Sequence, residues 1–140
     1  MRLGKIQYIL ILIFACSLAL ILAYHLINRD IHIVDAKTAV TVNEDLMPVK
    51  ITDSFSRGTS RVYCWIKWRD ARINIELMTK WRYLTDDIHI ADHALIVPKK
   101  DGAGGVELAM PEGKALPSGS YRVDILLGNR VLKSIAFKVE

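Results

Sequence analysis

Tyr121-Arg122-Val123-Asp124-Ile125-Leu126-Leu127-Gly128-Asn129-Arg130-Val131-Leu132-Lys133-Ser134-Ile135-Ala136-Phe137-Lys138-Val139 decides the fold class of this 140-residue chain. Tyr121, Val123, Ile125 and Leu127 alternate with Arg122 and Asp124, and Val131, Lys133, Ile135, Phe137 and Val139 return with the same period of two. Successive side chains of a strand point to opposite faces, so each run is a strand with one buried face. Gly128-Asn129 between them is a two-residue connection with Gly first, which predicts a type II′ hairpin with Gly128 at positive φ.

The same alternation continues upstream. Val106 to Met110 predicts a short strand, and Ile88 to Val97 predicts one or two, broken near Asp92. Pro98 followed by Lys99-Lys100-Asp101-Gly102-Ala103-Gly104-Gly105 predicts a flexible loop ending in a mobile hairpin tip. Ile73, Ile75, Leu77, Thr79 and Trp81 alternate with Asn74, Glu76, Met78 and Lys80. That run reads as a half-buried strand, turning at Asp70-Ala71 to form a hairpin with the strand before it. In that earlier strand, Arg61 to Trp68, both faces carry apolar residues: Val62, Cys64, Ile66 and Trp68 on one, Tyr63 and Trp65 on the other. A central position follows. Ile31 to Val42 gives a first strand or strand pair, and Pro48 and the Asp53 to Ser60 cluster with Gly58 mark loops.

About seven short strands, with no amphipathic helical window after residue 27, predict an all-β antiparallel sandwich. Leu116-Pro117-Ser118-Gly119-Ser120-Tyr121-Arg122-Val123-Asp124 resembles the approach to the penultimate strand of immunoglobulin-like and fibronectin-like domains. The resemblance covers the last 80 residues or so. It implies an immunoglobulin-like sandwich in which the Tyr121 hydroxyl bonds back to the corner's backbone and Trp65 or Trp68 is the core tryptophan. The chain departs from antibody domains in having no paired core cysteines, a pattern closer to bacterial or archaeal envelope sandwiches.

Ahead of the sandwich, Ile6 to Ile27 carries no formal charge apart from His25. At 1.5 Å per residue it spans about 33 Å, enough for a hydrocarbon core. The expected organisation is a cytoplasmic tip, residues 1–5, a transmembrane signal anchor, 6–27, and an extracytoplasmic domain, 28–140. Arg2 and Lys5 precede the span while Arg29 is offset by Asp30, which places the N-terminus in the cytoplasm and the domain on the periplasmic or extracellular side of the inner (plasma) membrane. Cleavage as a secretory signal and lipidation at Cys16 are the competing fates of the segment. Met1-Arg2-Leu3-Gly4 resembles the leader of type IV pilin-like proteins, although Ile9 stands where that family has an acid and Lys5 replaces its apolar first residue.

The domain from Ile31 onward holds 16 Lys or Arg and 14 Asp or Glu, a net charge of +2 that excludes a nucleic-acid footprint. Cys16 and Cys64 are not expected to pair, and neither has a His neighbour that would make a thiolate. His89 and His93 are the weak candidates for a metal. In a strand they stand about 13 Å apart, too far for one ion. No carboxylate pair or nucleophile elbow is legible, so neither catalysis nor a cofactor is expected, and no small-molecule ligand can be named.

Two sets of residues remain as partner-binding candidates. Lys67, Arg69, Arg72, Lys80, Arg82 and Tyr83 place cations beside aromatics on strands read as adjacent. Ala15, Ala19 and Ala23 form a small-residue stripe on the helix, where close helix approach is possible in lipid. The expected function is a membrane-anchored accessory or partner-binding module of a membrane protein complex, in contact with the bilayer and other membrane subunits. A pilin-like filament subunit and an anchored envelope enzyme or metal-binding domain are the alternatives.

Overall fold

The computed structural model describes residues 3–27 and 30–140 and divides into two compact units, Met1–Asp30 and Ile31–Glu140. In the first unit α1 (Leu3–Ile27) runs for 25 residues. Within it Gly4–His25 is long and apolar enough to cross a membrane, and every side chain from Lys5 to His25 is exposed. Ser17 Oγ donates to the carbonyls of Ile13 (3.0 Å) and Phe14 (2.9 Å), so this hydroxyl is satisfied within the helix.

The second unit is a sandwich of two sheets. One contains β1 (His32–Val42), β2 (Pro48–Ile51), β4 (Arg61–Arg69) and β7 (Gly102–Ala109), in the order β2-β1-β4-β7. The other contains β3 (Ser54–Phe55), β5 (Glu76–Tyr83), β6 (Ile88–Ile96), β8 (Gly119–Leu127) and β9 (Arg130–Val139), in the order β3-β9-β8-β5-β6. Neighbours pair antiparallel except β3 and β9, which are parallel through Ser54↔Lys138 and Phe55↔Val139. The β8–β9 hairpin closes through Gly128 at φ +59° with Leu127↔Arg130 as its last pair, as expected.

The core lies between the sheets. Val62, Cys64, Ile66 and Trp68 of β4 meet Leu77 and Trp81 of β5, Tyr121, Val123 and Ile125 of β8, and Phe137 of β9. The Tyr121 and Phe137 rings stack 5.0 Å apart and Trp81 meets Phe137 edge-on at 6.0 Å. Trp68 Nε1 donates to the Lys99 carbonyl (3.0 Å) and Trp81 Nε1 to Thr79 Oγ1 (3.2 Å), so neither buried indole leaves an orphaned donor. Of Trp65 and Trp68, Trp68 is therefore the one in the core, beside Trp81. Trp65 lies on the opposite face of β4.

Several expectations fail, each for a physical reason. The strand carrying Trp81 does not form a hairpin with β4. Residues 70–75 carry the chain to the other sheet, bending at Asp70 (φ +57°) and Asn74 (φ +67°), and β5 begins only at Glu76. Side by side in one sheet, the apolar faces of β4 and β5 would still need a covering layer, whereas in facing sheets they close on each other. Lys99-Lys100-Asp101 does form a loop, but Gly102 to Gly105 is part of β7, paired with Trp68 to Trp65. The Trp68 ring lies 3.1–3.4 Å from where a Cβ would stand at Gly102 and Gly104, and Tyr63 lies 2.7 Å from that position at Gly105. Glycine there admits aromatic rings, not flexibility.

Ile88–Ile96 is one strand, with Ile90 bulging opposite the Trp81/Arg82 step, not a break near Asp92. A second bulge at Leu132 turns that side chain toward the core and leaves Val131 exposed, against the simple alternation. Pro48 opens β2 instead of marking a loop. At the first position of an edge strand its missing N–H removes no ladder bond.

Candidate functional site

The cationic and aromatic residues expected to share one surface are divided by the crossover. Lys67 and Arg69 lie on β4, Lys80, Arg82 and Tyr83 on β5, and Arg72 in the connection between them. Because β4 and β5 belong to different sheets, Lys67 and Lys80 point out of opposite sides of the sandwich. Lys67 stands across from Asp35, which also holds Lys37 Nζ at 3.2 Å. Lys80 stands between Asp124 and Asp92, Arg122 Nε reaches Asp124 at 3.0 Å, and Arg82 pairs with Asp87. That outer face is compensated charge by charge. Tyr83 is structural: its hydroxyl donates to the Ser118 carbonyl (2.6 Å) and its ring sits 4.9 Å from that of Tyr121.

His89 and His93 are separated as well. His89 pairs with Arg82 on the outer side of β6 and its Nε2 lies 3.3 Å from Asp92. His93 pairs with Thr79, whose side chain is wholly buried, and so points to the other side. Among the described residues no group of three or more His, Cys, Asp or Glu could hold a metal ion. Cys16 is exposed on α1 and Cys64 is buried in the core, where burial pushes its thiol up to about 12. Ala15, Ala19 and Ala23, four residues apart, share one exposed face of α1.

Two features were not legible beforehand. Trp65 projects from the outer face of β4 yet is only 4% exposed, because the turn between β1 and β2 folds over it and its Nε1 donates to the Leu46 carbonyl at 2.6 Å. Leu46 takes φ +59°, and Asn43 Oδ1 accepts from the backbone of Asp45 and Met47, so the flap is internally braced. Asn43 as an Asx-turn residue was the available signal. An open groove of about 440 Å³ runs between β1 and β9, lined by Lys37, Ile51, Asp53 and Ala136. Its Thr38 hydroxyl is committed to the Thr52 carbonyl at 2.6 Å and its Lys37 ammonium to Asp35 at 3.2 Å.

The second feature is the distribution of charge between the ends of the sandwich. The loops and strand ends that share a pole with His32 comprise 69–76, 96–102 and 127–130. With Asp30, which directly precedes Ile31, they carry Arg69, Arg72, Lys99, Lys100 and Arg130 against Asp30, Asp70, Glu76 and Asp101, and Lys100 Nζ lies 3.8 Å from Asp70. The opposite pole, formed by 42–48, 55–61, 83–88, 109–119 and 139–140, carries six acids against Arg57, Arg61 and Lys114. One end is therefore basic and the other acidic. Neither run of residues is close in sequence, so only the topology assembles them.

No family model matches the chain, and no curated protein matches it by sequence. Among solved structures it is similar to an immunoglobulin-like protein from Pseudomonas aeruginosa, with a TM-score of 0.56 at 11% identity over 79% of this chain and 97% of that one. It also aligns, at a TM-score of 0.47 and 13% identity, with 30% of the Pseudomonas fluorescens alkylpurine DNA glycosylase AlkC. The fold is an immunoglobulin-like β-sandwich preceded by one apolar helix.

Proposed function

We propose that this chain is a membrane-anchored partner-binding module: an immunoglobulin-like domain held outside the cytoplasm by α1 and serving as a non-catalytic accessory subunit of a membrane complex. The observation that carries it is the helix itself, 22 apolar-rich residues with every side chain from Lys5 to His25 exposed. Surface of that kind is unstable in water and is stabilised in hydrocarbon or against another span. The residues ahead of it, Arg2 and Lys5, support a cytoplasmic N-terminus. A docking role is supported over chemistry by the way several of the domain's ionisable side chains are spent on surface pairs such as Lys37–Asp35 and Arg122–Asp124.

Fractionation of the full chain, with a reporter that works only in the cytoplasm fused after Glu140, tests the anchor and its direction. The chain is expected to resist alkaline extraction and the reporter to stay silent. Release into the soluble fraction removes the anchor, and an active reporter reverses it. Native mass spectrometry of detergent-solubilised particles then separates a defined complex with other subunits, which is expected, from polymers of this chain, which would mark a filament subunit.

A further inference from the structure

We infer that the basic pole of the sandwich is a lipid-facing surface that rests on anionic phospholipid head groups. The inference rests on the anchor reading above and names what the domain touches once anchored. Only residues 28–30 separate α1 from Ile31 in the sequence, so the anchor is joined to the domain at Ile31. Ile31 and His32 stand at the pole that carries Arg69, Arg72, Lys99, Lys100 and Arg130. This pole, not the acidic one, is tethered at the bilayer surface.

The surface is built, not a set of loose loops. The Ala71 amide donates to the Lys100 carbonyl (2.9 Å), the Asn74 amide to the Val97 carbonyl (2.8 Å), and the Val97 amide to the Ile75 carbonyl (2.9 Å). Asp101 Oδ1 accepts from the Asp70 amide (3.0 Å), and the core indole of Trp68 holds the Lys99 carbonyl. The 70–75 and 97–101 segments are thus fastened to each other and to the core. Between their cations stands Ile73, 64% exposed, with Ile96 at 52% beside the same edge. Exposed aliphatic groups among lysines and arginines suit the interface between head groups and acyl chains, where the cations meet phosphate and the isoleucines enter the boundary. The acidic opposite pole adds repulsion from an anionic surface, so both ends favour the same orientation.

The test is lysine footprinting on the full chain in nanodiscs of phosphatidylcholine alone and of phosphatidylcholine mixed with phosphatidylglycerol. Acetylation of Lys99 and Lys100 is expected to slow by about fivefold in the anionic discs and to recover in high salt. Lys114 at the acidic pole and Lys50 on β2 are expected to react equally in both. Equal rates for Lys99 and Lys100 in the two discs, or a fall shared by Lys114, overturn the inference while leaving the anchor in place. Failure of the chain to co-elute with either disc overturns the anchor and the inference with it.

Discussion

The hydroxyl of Tyr121 donates to the carbonyl of Pro117, four residues upstream, and so ties the start of β8 to the loop that leads into it. The ring beneath it stacks on Phe137, so one residue fastens the corner and fills the core. Tyr121→Phe keeps the ring and removes only the bond. It is expected to cost about 1 kcal/mol, a fall in Tm of about 4 °C followed by circular dichroism. An unchanged melting curve would mean that the corner is held by Tyr83 alone.

Gly128 at φ +59° sets the register of the last hairpin. Gly128→Val forces a β-branched residue into the left-handed region and is expected to destabilise by about 1 to 3 kcal/mol. Gly128→Asn, which tolerates that region, should recover most of the loss in a denaturant titration.

The Trp65 indole bond to Leu46 predicts a separable effect on the flap. Trp65→Phe is expected to cost about 1 kcal/mol. Hydrogen exchange of residues 43–47 should rise while that of β5 and β8 stays as in the parent chain. Uniform acceleration across both sheets would instead show that Trp65 supports the whole sandwich.

Burial pushes Cys64 up to about 12 from 9.0, and burial with the neighbouring Tyr83 pushes Tyr121 up to about 12 from 10.0. Both groups hold their protons more tightly when folded. Their contribution is complete below the unfolded values and is lost as pH rises through the folded ones. The contribution of these two groups should therefore be level to about pH 9 and fall between about 9 and 12, by about 1.4 kcal/mol per pH unit at most from Cys64. Equilibrium denaturation across that range measures the slope, and iodoacetamide should leave Cys64 unlabelled until the chain unfolds.

Local pattern made the strands legible, but not how they are distributed between sheets. The run Tyr121 to Val139 announced its hairpin because alternation and a Gly-first turn point the same way. Alternation in Leu77, Thr79 and Trp81 identified a half-buried strand correctly. It could not say which sheet covers that strand, because a tight hairpin and a crossover leave the same period of two. The glycines of β7 read as flexible for a similar reason: the rings that require them, Trp68 and Tyr63, lie about 40 residues away in sequence. The cationic patch failed with the hairpin on which it depended, and the basic pole was invisible because its members come from three separate segments.

The parallel pairing of β3 with the last two residues of β9 gives the sandwich a mechanical character. Ile31 and Glu140 lie at opposite poles, and the strands that hold them, β1 and β9, run along the line between. Tension applied between those residues loads the β1–β4, β8–β9 and β3–β9 bonds in shear, all at once, instead of peeling them one by one. A domain connected in this way is expected to yield late and abruptly when single molecules are pulled between Ile31 and Glu140.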